Sequence, residues 1–309
     1  MTFSLVARSA DGRLHGIAVA SRFLAAGALV PAAEAEVGAL ATQAHANLAY
    51  RPQGLALLRS GTAAADVVAG LVAADPGRDD RQLGVVGVTG PGATWTGPRC
   101  GGWAGGQAGD GWAAQGNILA GPHVIDAIRD GWLGGAALPF PQRLLAALRA
   151  GEEAGGDRRG RQSAAILVVQ RGGGYAGTGD NLVDLRVDDH PDPITELARL
   201  LDIHTMLFGR PDPATLLDLT GPLADEVAAL LSAAGHPVGD GGLVAAGHPA
   251  AGLSAEVRPV TGTTLEEALA SWAGWENLEE RLVPGRIDPI VLAHLRRTVA
   301  PIPTPRTGA

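Results

Sequence analysis

Two apolar runs rich in β-forming residues open the chain, at residues 2–9 and 14–20. They are joined through Ala10-Asp11-Gly12. Asp-Gly between two such runs is a strong hairpin signal. The pattern therefore predicts that the protein begins with a β-hairpin.

Apolar runs of strand length then alternate with helical periodicities over about 200 residues. Further strands are predicted at 37–43, 83–89, 93–96, 111–116, 163–170 and 182–188. Helices are predicted at about 52–60, 62–74, 122–132 and 141–150, with another that ends near 204. Groups of strands joined by short loops and separated by pairs of helices predict a layered α+β sandwich rather than a doubly wound parallel sheet.

The character of the chain changes after residues 208–213. Leu- and Ala-rich helices are predicted at about 214–219, 222–234 and 264–273, separated by a Gly- and Pro-rich stretch at 235–263. We therefore predict an α+β domain over 1–207, a small helical domain over 208–300 and a tail over 301–309. Trp272, Trp275 and Leu278 are expected in the core of the helical domain.

Composition narrows the range of partners. The chain has 309 residues with 24 basic and 32 acidic side chains, a formal charge of −8, so a nucleic-acid partner is not expected. No apolar stretch approaches the ~20 residues that span a bilayer, and no membrane partner is expected.

Cys100 is the only cysteine, which excludes an intrachain disulfide. The N-terminus lacks the pattern of a secretory signal, so we expect a cytoplasmic protein.

Every basic residue is arginine, because the sequence contains no lysine. This excludes a Walker-type phosphate loop, a Schiff-base or pyridoxal-phosphate enzyme and a Ser-Lys dyad, since each needs a side-chain amine. We expect no cofactor and no metal ion.

Thr2 directly follows the initiator Met1, which is removable because the threonine side chain is small. Removal would leave a free α-amine beside a hydroxyl on one residue. The amine has a pKa of about 7.7–8.0, so it can accept the hydroxyl proton while the oxygen attacks an acyl carbon. Thr2 is therefore a candidate nucleophile; the alternative is a threonine that only favours the first strand.

Several stretches of the first 205 residues resemble one family. They are VASRFLAAGALVP, GALATQAHAN, RQLGVV, WAAQGNILAGP, GGDRRGRQSAAILVV and VDLRVDDHPDP. The chain is similar to bacterial proteins grouped as domain-of-unknown-function family 1028, within the N-terminal nucleophile (Ntn) hydrolase superfamily. Its opening strands are also similar to the opening of proteasome β-subunits. The resemblance implies a four-layer αββα sandwich and an amide-bond hydrolase with Thr2 at the edge of the cleft between two sheets.

The resemblance also implies roles for other residues. Ala20-Ser21-Arg22 lies where proteasome-like enzymes have Asp-Ser-Arg, so Ala20 replaces the Asp. The usual lysine has no counterpart, since Glu34 and Glu36 occupy its neighbourhood, and Arg22 would have to tune the nucleophile. The implied oxyanion and substrate-binding residues are Ser21, Arg22, Gln43, Ala44, His45, Asn47, Gln115 and Asn117, with backbone N–H donors expected within 43–47.

Asp184, Arg186 and Asp188 alternate with apolar residues and so share one strand face, and His190 follows them. They form either a polar wall of the cleft, with a possible cation site, or an ion-paired edge strand that runs into a capped helix start. Both interpretations stay open at this point.

Residues 214–296 resemble a module described as peptidoglycan-binding in some members of the same group. A helical packing or oligomerisation domain is the simpler interpretation, and a homo-oligomer is expected. The leading hypothesis for the whole chain is an Ntn amidohydrolase that cleaves a small amide, lactam, imide or short peptide through an acyl-Thr2 intermediate. The alternative is a non-enzymatic Ntn-like fold used for ligand binding or assembly.

Overall fold

The computed structural model describes residues 2–239, 243–245, 257–259 and 263–299. They belong to two compact units that divide between Asp202 and Ile203, within a helix. The sequence analysis places the domain boundary at the C-terminal end of the same helix. The predicted tail at 301–309 and most of the Gly- and Pro-rich stretch lie outside the described residues.

Ten strands of the first unit form two antiparallel sheets. They are β1 (Thr2–Arg8), β2 (His15–Ser21), β3 (Pro31–Glu34), β4 (Gly38–Ala44), β5 (Arg81–Gly87), β6 (Ala93–Thr96), β7 (Trp103–Gly109), β8 (Trp112–Leu119), β9 (Ser163–Val169) and β10 (Asn181–Val187). One sheet has the order β10-β9-β2-β1-β8-β7, and the other has the order β3-β4-β5-β6. The predicted N-terminal hairpin is confirmed, with Thr2 opposite Ser21 and Arg8 opposite His15.

The helices of this unit cover the outer faces of the sheets, apart from the short first one, which packs with residues that lie between the sheets. They are α1 (Ala26–Leu29), α2 (Tyr50–Arg59), α3 (Ala64–Ala74), α4 (His123–Gly134), α5 (Phe140–Glu153) and α6 (Pro193–Phe208). Helices α4 and α5 pack on the six-stranded sheet, and α2 and α3 pack on the four-stranded sheet. The inner faces of the two sheets contact each other, for example between β1 and β4 and between β5 and β8. The prediction of a mixed α+β fold with antiparallel sheets is confirmed.

The two-residue period of β1 decides which side chains lie between the sheets. Phe3, Leu5 and Ala7 belong to the core beneath the helices, whereas Val6 packs between the sheets. Thr2 and Ser4 share the inner face with Val6. A register shift of one residue would exchange the two sets, so burial on both faces fixes the position of Thr2.

The second unit has its own helical core. Its elements are β11 (Leu217–Asp218), α7 (Gly221–Ala233), β12 (Leu243–Ala245), β13 (Val257–Pro259), α8 (Leu265–Glu276), β14 (Arg286–Ile287) and α9 (Pro289–Val299). Trp272 and Leu278 are buried there, as predicted, whereas Trp275 is 64% exposed and does not belong to the core. Among the described helices, none has the length and apolarity to cross a membrane.

The prediction of a helix at 214–219 is wrong. Asp212 accepts hydrogen bonds from the backbone N–H of Ala214 through its side chain and of Thr215 through its carbonyl. These bonds make a turn after which Leu217 and Asp218 pair with β14. The Asp-Pro pair at 212–213 thus favours a local turn, although the residues that follow it have helical periodicity.

Candidate functional site

Polar side chains replace apolar ones at one end of the layer between the sheets. Toward the far end of the hairpin this layer contains Val6, Ile17 and Val86. At the end where β1 begins and β2 ends, it contains a buried cluster that we call the polar floor, made of Thr2, Ser4, Ser21, Gln43, Gln82, Gln115 and Asn117. Buried polar groups need hydrogen-bond partners, so this cluster is either paired internally or costly.

Thr2 is held in the polar floor through its side chain and its carbonyl. Its Oγ1 lies 3.1 Å from Ser21 Oγ. Its carbonyl accepts hydrogen bonds from Gln43 Nε2 at 3.2 Å and from Asn117 Nδ2 at 3.4 Å. Two neighbouring strands and the facing sheet therefore all fix the position of this residue.

Gln82 connects the donors that hold Thr2. Its Oε1 accepts from Gln43 Nε2 and from Asn117 Nδ2, each at 2.8 Å. Its Nε2 donates to Thr96 Oγ1 at 2.9 Å and to the carbonyl of Gly116 at 2.8 Å. Both ends of the Gln82 amide are therefore hydrogen-bonded, and this part of the network is rigid because each side chain is oriented by the next one.

Gln115 and Ser4 extend the network beneath Gln43. Gln115 Nε2 donates to Ser4 Oγ at 2.6 Å, and Ser4 Oγ donates to Gln43 Oε1 at 2.7 Å. Gln115 lies directly over Gly84, where a Cβ atom would be 2.0 Å from Gln115 Oε1. A larger residue in β5 would therefore displace this amide from its hydrogen bond to Ser4.

A cleft of about 390 Å³ opens above the polar floor. Thr2 and Gln43 contribute to its floor, and the segment at 44–46 forms part of its wall. The other lining residues are Phe23, Ala26, Leu29, Val30, Leu48 and Arg81. A cleft of this size suits a small molecule rather than a folded partner.

The wall at 44–46 is held by specific contacts. Ala44 has a φ of 64°, a left-handed conformation that turns the chain after β4. The His45 N–H donates to the carbonyl of Asp80 at 3.1 Å, and Arg81 Nη1 donates to the carbonyl of His45 at 2.7 Å. Within the part of the chain that the structure describes, the Ala46 N–H donates no hydrogen bond. Ala46 lines the cleft, so this N–H is a candidate donor to a ligand there.

Asp75 supports this wall from behind. Its carboxylate accepts from Arg81 Nε and Tyr50 Oη at 2.9 Å, from Asn47 Nδ2 at 3.0 Å and from the Gly77 N–H at 2.8 Å. The hydrogen bond from Arg81 is the main reason that the pKa of Asp75 lies well below its usual value. Burial, followed by the hydrogen bond to Asp75, raises the pKa of the Tyr50 hydroxyl. The carboxylate is therefore charged and fully occupied.

The structure brings together most of the residues that the resemblance implies. Thr2, Ser21, Gln43, Gln115 and Asn117 meet in the polar floor, and Ala44 and His45 line the cleft. The remaining two, Arg22 and Asn47, do not line it.

Arg22 is directed away from Thr2. Its guanidinium donates to Gln162 Oε1 at 3.1 Å, and its backbone N–H donates to Asp157 Oδ2 at 2.9 Å. The expected tuning role of Arg22 therefore has no support from this geometry. Glu34 and Glu36 form surface ion pairs with arginines of α2 and of the loop after β9.

The acidic strand lies outside the cleft. Asp184 and Arg186 are exposed on the edge strand β10, 3.8 Å apart, and Asp188 accepts the Ala25 N–H through its carbonyl. His190 Nδ1 accepts the Asp192 N–H at 3.0 Å, just before α6. Asp184 and Arg186 are thus an ion pair on an edge strand, and His190 lies in the turn before α6. No group of metal-ligating side chains occurs among the described residues.

Sequence analysis missed four residues that hold the site: Ser4, Asp75, Arg81 and Gln82. Ser4 and Gln82 interrupt apolar alternation on inner-facing strand positions, which is a detectable signal. Asp75 and Arg81 lie in or beside a turn, where charged residues are ordinary. Only the fold reveals that they support the cleft wall.

Two comparisons relate the chain to other proteins. A family model described as "Family of unknown function (DUF1028)" matches residues 2–197. The crystal structure of protein SPO2555 from Silicibacter pomeroyi, which carries the same family description, is 30% identical; the match covers 73% of this chain and 92% of that chain, with a TM-score of 0.60. No curated protein matches the chain.

Proposed function

We propose that the chain, which belongs to the family of unknown function DUF1028, is an Ntn amidohydrolase that cleaves a small amide, lactam, imide or short peptide. The observation that carries this proposal is the position of Thr2. Thr2 lines a small-molecule cleft, and its carbonyl is held by two buried amides. A nucleophile fixed in this way needs little reorganisation to react.

Removal of Met1 generates the base in this mechanism. The Thr2 α-amine accepts the proton of Oγ1 as the oxygen attacks the amide carbonyl and a C–O bond forms. The amine then donates the proton to the leaving nitrogen as the C–N bond breaks. Water attacks the resulting ester and releases the acid and the free Thr2 hydroxyl.

Two neighbours of Thr2 have roles in these steps. The oxyanion that forms during attack lies on the 44–46 side of the cleft, where the Ala46 N–H is the available backbone donor. Ser21 Oγ, 3.1 Å from Thr2 Oγ1, orients the attacking hydroxyl. Ser21 thereby positions the nucleophile, without the positive charge that a lysine would add.

The layered architecture supports the superfamily assignment. The layers are stacked in the order helices, sheet, sheet and helices, with both sheets antiparallel. Strand β1 begins at the cleft. This is the arrangement expected of an αββα sandwich whose first residue is the nucleophile.

The test is acylation of the N-terminal peptide by a β-lactone probe, followed by intact and peptide mass measurement. Mature protein that begins at Thr2 should gain the mass of the probe, and Thr2→Ser should retain part of the reactivity. Thr2→Ala should lose about 10³-fold or more, because nucleophile and base act as one unit. Thr62→Ala, at a half-buried position that does not line the cleft, serves as the matched control and should react like the wild type.

The alternative is a ligand-binding fold without catalysis, which the absence of lysine favours. Purified protein that retains Met1, or a wild type that reacts no faster than Thr2→Ala, would reject the enzymatic proposal.

A further inference from the structure

One wall of the cleft is apolar and open to solvent. Phe23 is 51% exposed and Leu48 is 46% exposed, and both line the cleft together with Leu29 and Val30. Large apolar side chains at the rim of a small-molecule cleft identify a binding surface. A ligand that covers them removes apolar surface from water, which favours binding.

The position of Phe23 is fixed by its backbone. Ser163 Oγ donates to the carbonyl of Phe23 at 2.6 Å and accepts the Ala26 N–H at 3.1 Å. Helix α1 packs so closely on β9 that a Cβ atom on Gly27 would be 2.4 Å from Ala165 Cβ. The exposed ring is therefore presented by a tightly packed segment, which keeps the apolar wall in place for a ligand.

The charged side chain that lines the described part of the cleft is a cation, and the carboxylates behind the wall, Asp75 and Asp80, are each ion-paired with an arginine. Among the described residues that line it, Arg81 is the cation and none is acidic. The nearby Asp75 is 8% exposed and has its carboxylate occupied by the donors described above. Arg51 adds a second positive charge at the rim, where its Nη1 donates to the carbonyl of Ala28 beside Leu29.

We propose that the substrate of this cleft is an amide with a compact apolar group, an aromatic ring or a branched alkyl chain, next to the scissile bond. A carboxylate elsewhere on the ligand is favoured and a positive charge is excluded. This inference rests on the proposed function, since it assigns a substrate class to the same site.

Three amides of the same shape test the inference: benzamide, 4-carboxybenzamide and 4-amidinobenzamide. Binding is measured by NMR titration of the full-length protein, because fragments of this size bind at about millimolar Kd. The carboxylate compound should bind at least about tenfold more tightly than the amidinium compound, with benzamide between them. Raising the ionic strength to about 1 M should reduce that ratio, because exposed charges are screened.

Phe23→Ser tests the apolar wall, and Leu24→Ser is its matched control. Leu24 is the neighbouring residue and is 57% exposed, but it does not line the cleft. Phe23→Ser should weaken benzamide binding about tenfold, whereas Leu24→Ser should bind it like the wild type. Both positions are exposed, so both variants should keep the wild-type Tm.

The inference is overturned if no benzamide binds, if the amidinium compound binds as tightly as the carboxylate compound, or if the two serine variants bind alike. Failure of the proposed function has a different signature. In that case the ligand preferences and the Phe23→Ser effect remain, but the β-lactone does not acylate Thr2.

Discussion

We predict that the protein loses stability between pH 6.5 and pH 4 because His15 is buried as a neutral ring. His15 is fully buried near the end of the β1–β2 hairpin, opposite Arg8. Burial, together with the positive charge of Arg8, lowers its pKa from 6.5 to about 4. The ring therefore stays neutral in the folded protein at pH values where the unfolded chain binds a proton.

The sign and size of the effect follow from this difference. Above pH 6.5 His15 is neutral in both states and carries no penalty. As the pH falls toward 4, the unfolded state alone gains a proton, and the free energy of unfolding decreases by about 3 kcal/mol at about 1.4 kcal/mol for each pH unit. Such a loss is a large part of the stability of an ordinary domain.

Urea unfolding between pH 7 and pH 4.5 measures the effect in the wild type and in His15→Gln. The variant should remove most of the dependence of unfolding free energy on pH in this window. His236 of the second unit also has a pKa lowered by burial, so His236→Gln measures how much of the dependence arises there. Equal slopes for wild type and His15→Gln would refute the reasoning.

Three further predictions concern packing and charge. Gly84→Ala should destabilise the protein by about 1–3 kcal/mol in chemical unfolding, because its Cβ would collide with Gln115, and the added Gln115→Ala should restore part of the loss. Trp272→Ala should cost about 3–5 kcal/mol and lower the Tm, whereas the exposed Trp275→Ala should change unfolding by about 0.5 kcal/mol or less. Asp75→Asn leaves its half-buried partner Arg81 without a counter-charge and should cost about 2 kcal/mol in the same assay, with slower acylation of Thr2. Unchanged values would contradict each estimate.

The sequence predicts those parts of the fold that depend on local pattern. The hairpin and the strands with regular apolar runs are found, and the predicted DUF1028 family is confirmed. Strand β7 was not predicted, because WAGGQAG is mostly glycine and alanine and has little apolar alternation. It forms a strand because it pairs with β8.

The candidate site is less predictable for a related reason. The position of Thr2 after Met1 makes it recognisable in the sequence, but nothing in the sequence marks the residues that hydrogen-bond its carbonyl. Gln43 and Asn117 reach it from different sheets, and that meeting depends on the register of one sheet against the other. Long-range register of this kind leaves no pattern along the chain.

The polar floor consists of amides and hydroxyls, and it contains no carboxylate, imidazole or ammonium group. None of its side chains changes protonation in the ordinary pH range, so its hydrogen bonds hold Thr2 in the same way in mildly acidic and mildly alkaline solution. The α-amine of Thr2 then determines how the reactivity of the nucleophile depends on pH. Acylation of Thr2 should follow a single ionisation, that of its α-amine, rather than the two-sided profile of an enzyme with separate acidic and basic side chains.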